Sequence, residues 1–253
     1  MIYTNMSNTA TLYRFGSVTK RFSYDSILLT TGSASYLLFL KRLKYPEPII
    51  IIVQIIFLMI LWDFLKQPID LLYFQKPMRP LVGLLNTCTD IMMYRDRYRI
   101  EDYTNLEILH KNFLKIKKEF QHLLKVSKKT FCHEYDPFLP KSSEYYSYDC
   151  KDFPYTWSLI KQIPSANLDN ARFNVIDGEY SLPPHKGDTN AALVYNMTIE
   201  GDPESYLEIF DGTRYPYIEN VPGVLYDHSL KHSVTKKGIK RRTILFLNII
   251  RWK

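Results

Sequence analysis

The segment that decides the fold is the last strand-like run of the chain, Arg242-Thr-Ile-Leu-Phe-Leu-Asn-Ile-Ile250. From residue 171 onward apolar residues recur with a period of two, which predicts β-strands. We predict short strands at 172–176, 191–199, 205–210, 223–227, 232–235 and 242–250. Turn signals separate them, among them Asp177-Gly178, Glu200-Gly201-Asp202-Pro203, Asp211-Gly212 and Pro222-Gly223. Many short strands at close spacing favour a β-sandwich or barrel.

Upstream of these strands the apolar period becomes helical. Spacings of three and four predict an amphipathic helix over residues 104–126, on Leu106, Leu109, Phe113, Ile116, Phe120 and Leu124. Residues 127–157 are rich in tyrosine and are predicted to be irregular. We assign residues 66–103 to a linker, because Pro68, Pro77 and Pro80 interrupt helices. We therefore expect a mainly β domain with flanking helices over residues 104–253.

An apolar run near the N-terminus, residues 49–65, predicts a transmembrane helix. It sits at the lower length limit for crossing a bilayer, which takes about 20 residues. A buried core helix is the alternative, but the run lacks an amphipathic stripe, and Trp62 stands where an interface anchor would. Basic residues precede it in the tail of residues 1–48, so the positive-inside rule favours a cytosolic N-terminus. We expect a single-pass type II signal-anchor, with the C-terminal domain lumenal or extracytoplasmic.

Composition narrows the class of protein further. The chain has 253 residues, 46% of them hydrophobic, which suffices for one packed domain with an appendage. The net charge of +7 is compatible with nucleic acid or anionic lipid, but the lysines between residues 111 and 129 have helical spacing, as on a solvated face. No aromatic-plus-basic motif is present, so we expect no nucleic-acid partner. The three cysteines show no zinc spacing. A Cys132–Cys150 bridge and three free thiols both remain open.

Two histidines stand in contexts typical of metal ligands. His185 lies in Pro183-Pro184-His185-Lys186-Gly187, and His232 follows 47 residues later. In a double-stranded β-helix, two such positions can converge on one metal at the open end of the barrel. The usual non-haem iron triad adds a carboxylate. Its place two residues after the first histidine is Gly187, and Asp188 is one residue out of register. We therefore predict two protein ligands for Fe(II), with water supplying the rest.

His228 and His232 are spaced as a metal-binding pair on a helix would be. The preceding Val224-Leu-Tyr226 has the pattern of a strand, however, so the spacing does not place both rings on one face. We therefore reject His228 as a partner of His232.

Arg242 opens the last predicted strand, ten residues after His232. A period of two places Ile244 and Phe246 on its face. A charge on an apolar inward face is costly unless it is paired. The carboxylate of a dicarboxylate would pair with the guanidinium at two points. An edge arginine in solvent beside Arg241 is the alternative, but the offset from His232 favours the buried position. Together, the histidines and Arg242 predict an Fe(II)- and 2-oxoglutarate-dependent oxygenase that uses O₂.

At this point residues 171–251 resemble the aspartyl/asparaginyl β-hydroxylase family. The segments that carry the resemblance are Pro183-Pro184-His185-Lys186-Gly187, Leu193-Val194-Tyr195-Asn196, Tyr226-Asp227-His228-Ser229-Leu230-Lys231-His232, and Arg242. The resemblance implies a double-stranded β-helix of the jelly-roll, cupin-like kind. It also implies iron held by His185 and His232 alone, and Arg242 as the clamp on the distal carboxylate of 2-oxoglutarate. Asn174 falls where the family places a serine that touches the cosubstrate.

Two departures from the family pattern affect the expected substrate. Val194 stands where the family has a strand arginine, and Asn196 where it has a histidine; both positions contact the cosubstrate and the substrate side. Asn196 can still donate a hydrogen bond, whereas Val194 cannot. The resemblance implies hydroxylation at the β-carbon of Asp or Asn residues in a protein. Hydroxylation of a lipid acyl chain, which a membrane anchor would suit, and a ligand-binding barrel without turnover are the alternatives.

Overall fold

The computed structural model describes residues 46–65, 79–93, 98–127, 131–132, 143–187, 189–209 and 211–252, together with Leu38 and Arg42. The chain divides into two compact units, Met1–Ile91 and Met92–Lys253. Most of the predicted N-terminal tail, residues 1–48, lies outside the described residues.

The described part of the first unit contains a long apolar helix. Helix α1 (Glu47–Leu65) covers the predicted transmembrane run. Among the described residues it is the one helix long and apolar enough to cross a membrane. Its exposed large side chains are Ile49, Ile51, Ile52, Ile55, Ile56, Leu58 and Trp62. The length and composition of α1 are therefore those of a span.

A second helix, α2 (Arg79–Met93), lies in the range that the sequence pattern assigns to a linker. Pro80 is the physical reason for the difference, because proline is tolerated in the first turn of a helix, where its missing N–H has no intrahelical partner. The polar side of α2 contacts α1, since Asn86 Nδ2 donates to Asp63 Oδ1 over 3.1 Å. The compact unit that follows begins at Met92, ahead of the predicted boundary at residue 104.

The second unit is built on two antiparallel sheets. Its strands are β1 (Phe131–Cys132), β2 (Glu144–Asp149), β3 (Ala166–Asp177), β4 (Tyr180–His185), β5 (Ala192–Glu200), β6 (Tyr206–Glu208), β7 (Arg214–Pro216), β8 (Val224–Tyr226), β9 (His232–Lys236) and β10 (Arg242–Ile250). One sheet has the order β1-β2-β3-β10-β5-β8 and the other β4-β9-β6-β7. Strands β3 to β10 thus contribute four to each sheet. This topology is the expected double-stranded β-helix, and the predicted fold class is confirmed.

Three helices cover the outer face of the larger sheet: α3 (Ile108–Lys111), α4 (Phe113–Leu123) and α5 (Pro154–Ile160). The helix predicted over residues 104–126 is divided at Asn112, whose φ of −107° and ψ of 16° leave the helical region. Five of the six apolar residues that predicted this helix are buried all the same, and Leu124 is partly buried. Phe120, for example, packs on Phe173 of β3 with ring centroids 4.8 Å apart.

The two faces of strand β10 contribute to two different apolar clusters, one under the helices and one between the sheets. Leu245 and Leu247 face the helices, whereas Ile244 faces the second sheet. Between the sheets lies a smaller apolar cluster of Val194, Leu207, Tyr217, Tyr226, Val234 and Ile244. Because side chains alternate along a strand, Arg242 and Phe246 share the inner face with Ile244.

The tyrosine-rich segment predicted to be irregular contains strand β2. Tyr146 and Tyr148 are buried on its outer side, so the tyrosines form part of the helix-covered core. Cys150, which follows β2, is a buried free thiol, and the bridge to Cys132 left open above is not formed. Burial raises the pKa of the Cys150 thiol well above its usual value, so the thiol remains protonated.

Candidate metal and cosubstrate site

His185 and His232 lie side by side in the smaller sheet. His185 is the last residue of β4 and His232 the first of β9, and the two are paired across the antiparallel ladder. Their imidazole rings have centroids 4.2 Å apart and planes inclined by 55°. The register of the smaller sheet therefore brings together two residues that are 47 positions apart in the chain.

The surroundings of His232 keep its imidazole neutral. Burial, together with the field of His185, lowers its pKa from 6.5 to about 3. Its Nδ1 lies 2.9 Å from the carbonyl oxygen of Leu230, to which a protonated Nδ1 donates. That hydrogen bond leaves the Nε2 lone pair available to a metal ion. A neutral ring with one fixed tautomer is the form in which histidine binds metals.

Gly187 occupies the position that a third, carboxylate ligand would need. Its backbone N–H donates to the carbonyl of His228 over 2.7 Å. A Cβ added at Gly187 would lie 2.0 Å from Cδ2 of the His228 ring, which is closer than real Cβ contacts allow. The ring of His228 thus fills the space of any side chain at residue 187.

Within the part of the chain that the structure describes, the site offers no third amino-acid ligand beyond this pair. Among the described residues, no group of three or more His, Cys, Asp or Glu side chains is arranged to hold a metal ion. Asp188 lies outside the described residues. The described donor set therefore consists of His185 and His232.

The loop that leads from β8 to His232 is held by a buried ion pair. Arg251 Nη1 lies 3.4 Å from Asp227 Oδ2, and both side chains are almost fully buried. The other carboxylate oxygen of Asp227 accepts the backbone N–H of Ser229 over 2.9 Å. These contacts fix the loop that carries His228 and precedes His232.

Arg242 is buried on the inner face of the larger sheet, with 3% of its surface exposed. Its guanidinium stacks on the ring of Tyr217, 4.1 Å from the ring centroid. Its Nε has no hydrogen-bond partner among the described residues. The neighbouring Arg241 differs, since its Nε pairs with Asp177 at 2.8 Å and its side chain is 39% exposed. Arg242 is therefore a buried cation with donor capacity to spare.

The two predicted asparagines have different partners. Asn174 accepts a hydrogen bond of 2.7 Å from Ser147 Oγ, and both residues are buried. Asn196 Nδ2 donates to the Tyr226 hydroxyl over 3.4 Å, and the Asn196 Oδ1 is buried without a partner among the described residues. Asn196 therefore retains a buried acceptor that no described residue uses.

Tyr226 connects these polar groups, although the sequence pattern did not single it out. Its ring lies 5.4 Å from that of His232, centroid to centroid. Burial raises the pKa of Tyr226, and the nearby charge of Arg242 partly opposes this rise. The phenol therefore stays protonated at neutral pH. Its place near the end of the predicted strand 223–227, six residues before His232, was the available signal in the sequence.

Fold and site together define a cupin-like barrel that holds a pair of adjacent histidines and a buried arginine. Comparison with protein families agrees with this class. The family model described as aspartyl/asparaginyl beta-hydroxylase matches residues 110–252. The chain belongs to the aspartyl/asparaginyl β-hydroxylase family, and membership supports a hydroxylase activity.

Solved structures with similar folds are remote in sequence. The non-heme alpha ketoglutarate dependent epimerase SnoN from nogalamycin biosynthesis is 11% identical, with a TM-score of 0.38 over 55% of this chain and 72% of that chain. The polyketide cyclase RemF from Streptomyces resistomycificus is 13% identical, with a TM-score of 0.32 over 50% and 75%. A predicted oxalate decarboxylase from Thermotoga maritima is 13% identical, with a TM-score of 0.30 over 49% and 98%. No curated protein sequence matches the chain.

Proposed function

We propose that this protein is an Fe(II)- and 2-oxoglutarate-dependent dioxygenase that hydroxylates an unactivated carbon, the β-carbon of Asp or Asn residues in a protein. The observation that carries the proposal is the His185–His232 pair, with ring centroids 4.2 Å apart, in a barrel that also buries Arg242 without a hydrogen-bond partner for its Nε. Membership of the hydroxylase family supports it.

The residues present fit this cosubstrate and this metal. Neutral imidazole suits Fe(II), and the low pKa of His232 keeps its ring neutral across the physiological range. A buried guanidinium with an unused donor suits a carboxylate, because an unpaired buried charge is costly and two-point pairing removes the cost. We propose His185 and His232 as the metal ligands and Arg242 as the partner of the distal carboxylate. Asn174 and Asn196 are the proposed further cosubstrate contacts.

The chemistry divides between the cofactor and the chain. Iron with 2-oxoglutarate and O₂ would supply the oxidant and release succinate and CO₂. The side chains of the barrel would orient the cosubstrate, and the apolar cluster between the sheets would keep water from its interior. The protonated hydroxyl of Tyr226 would hold Asn196 beside the histidines.

Anaerobic titration of the full-length protein with Fe(II), then 2-oxoglutarate, tests the proposal. A weak visible charge-transfer band should appear only when both are present, and admission of air should yield succinate. His232→Ala should abolish the band and succinate formation. His122→Ala, which removes an exposed histidine on α4, is the matched control and should leave both unchanged. Absence of both signals from the wild-type protein would favour the ligand-binding barrel without turnover.

A second candidate keeps the chemistry and changes the substrate to a lipid acyl chain. The exposed isoleucines of α1 favour it, since they suit a membrane location. We propose that residues 49–65 span the bilayer in a single-pass type II orientation, which would give the barrel access to protein substrates on the lumenal or extracytoplasmic side. Mass spectrometry of products from peptide and lipid mixtures distinguishes the two candidates, because only the true substrate gains 16 Da.

A further inference from the structure

Helix α2 is inverted with respect to a helix that packs in water. Its buried residues form a stripe at helical spacings of three and four: Gly83, Asn86, Thr87 and Asp90. An amphipathic helix of a soluble protein turns its apolar stripe to the core and its polar residues to water. In α2 the polar residues are the ones that are buried.

The apolar side chains of α2 lie on its other side. Leu81 is 53% exposed, Leu85 63% and Ile91 74%. At 3.6 residues per turn, Leu81 lies opposite Asp90 around the helix axis, and Leu85 lies opposite Gly83. A single exposed leucine is ordinary, but exposed leucines opposite a buried polar stripe are not.

The buried stripe of α2 contacts α1 through hydrogen bonds. Thr87 Oγ1 donates to the carbonyl oxygen of Met59 over 2.6 Å, and Asn86 Nδ2 donates to Asp63 Oδ1 over 3.1 Å. Gly83 lies one turn before Thr87, so two small residues stand four positions apart on this side. Small residues and interhelical hydrogen bonds are what hold helices together in lipid, where apolar burial supplies no driving force.

The outward surface of the α1–α2 pair is apolar on both helices. The exposed isoleucines of α1 include Ile51, Ile52 and Ile55. In α2 the one charged residue between Leu81 and Met93 is Asp90, which is buried. A helix that faces water carries charged and polar residues on its exposed side. The pair therefore has polar contacts inside and apolar side chains outside, which suits hydrocarbon as the surrounding medium.

We propose that the apolar side of α2 contacts the acyl chains of the bilayer, so that α2 is a second membrane-embedded helix, held on α1 by polar contacts. The inference rests on the proposed span of α1 and is independent of the oxygenase chemistry. The 15 residues of α2 measure about 22 Å, short of the roughly 30 Å of a hydrocarbon core. Helix α2 therefore adds no crossing, and the single-pass topology proposed for α1 is unchanged.

Photolabelling from within the bilayer tests the inference. The full-length protein is reconstituted in phosphatidylcholine vesicles that contain a phospholipid with a diazirine on its acyl chain, and mass spectrometry locates the labelled residues after illumination. Label should appear on Leu81 and Leu85, as it should on Ile55 of α1. It should be absent from Asn86 and from Leu114, an exposed leucine on α4 that serves as the control in water.

A matched pair of variants at Leu85, near the middle of α2, completes the test. Leucine to lysine lowers the partition of an apolar helix into a bilayer by about two to three orders of magnitude. Leu85→Lys should therefore lose the label on α2 and keep it on Ile55, whereas Leu85→Met should keep both.

The outcomes separate this inference from the proposals on which it stands. Label on α1 without label on α2 would overturn the inference and leave the span of α1 in place, and a cross-link between two copies through Leu85 would assign this side to a protein partner instead. Label on neither helix would overturn both membrane proposals. Unchanged labelling of α2 in Leu85→Lys would also contradict the inference. Succinate formation by the same samples reports separately on the proposed oxygenase activity.

Discussion

Replacing Arg242 by methionine should separate cosubstrate binding from folding. The guanidinium is 3% exposed, stacks on Tyr217 and carries a donor without a partner among the described residues. Methionine keeps a long, flexible stem and removes the charge. Iron binding should persist, because Arg242 is not one of the two proposed ligands.

The size of the effect follows from the burial of Arg242. Removing one partner of a buried charge pair costs about 3–5 kcal/mol. At about 1.4 kcal/mol for each factor of ten, the affinity for 2-oxoglutarate should fall by roughly two to three and a half orders of magnitude. Without cosubstrate the variant should be about as stable as the wild type. The lost cation–π contact is worth about 0.5–2 kcal/mol, and relief of an unsatisfied buried group returns about 1–3 kcal/mol.

Thermal unfolding with and without 2-oxoglutarate measures both quantities. Cosubstrate at about 100 times its Kd should stabilise the wild-type protein by about 2.7 kcal/mol. For a domain of this size that raises Tm by about 5–11 °C, and Arg242→Met should show almost none of this rise. Arg241→Met is the control, since Arg241 is 39% exposed and pairs with Asp177 on the surface. An unchanged affinity for 2-oxoglutarate in Arg242→Met would refute the reasoning.

Three further outcomes are expected. Gly187→Ala should lower Tm by about 2–12 °C, because overpacking against His228 costs about 1–3 kcal/mol. The double variant that also carries His228→Ala should recover the wild-type Tm. An unchanged Tm in the single variant would contradict the close contact between the two residues. The metal-free protein should be stabilised by neutral His232 at pH above about 6.5 and lose this contribution as the pH falls toward about 3, because the unfolded chain takes up the proton first. Melting curves of His232→Gln should depend less on pH over that window, and an equal dependence would count against the depressed pKa. Ile55→Lys, at an exposed site of α1, should reduce the carbonate-resistant membrane fraction while Ile55→Leu does not, and equal fractions would argue against a span.

The sequence predicted most of the barrel because its signal is periodic. Strand β10 is a nine-residue, mainly apolar run, and its predicted bounds match the observed Arg242–Ile250. Strand β7 has three residues, too few for a period to show. Strand β4 includes Pro183-Pro184 just before its last residue, and a proline pair is typical of a corner rather than of a strand. Prediction thus succeeded where a strand is long enough to repeat its pattern.

The candidate site was predictable where residue type alone carries the chemistry. His185 and His232 stand in distinctive motifs, and the register between β4 and β9 brings them together. The sequence predicted for His228 only a possible role as a metal ligand, which was rejected. Its close contact with Gly187 depends on a loop conformation that no sequence pattern encodes. Contacts of this kind depend on strand register and loop conformation, which the spacing of motifs in the sequence does not reveal.

The contact between Gly187 and His228 also constrains how this sequence can evolve. A single base change can turn a glycine codon into an aspartate codon, so a third, acidic ligand is in principle one mutation away. In this chain an aspartate at residue 187 would clash with the imidazole of His228, because its Cβ alone would lie 2.0 Å from the ring. A side chain at residue 187 therefore requires the ring of His228 to move or to be replaced, and the two positions should co-vary among relatives of this chain as residues in contact do.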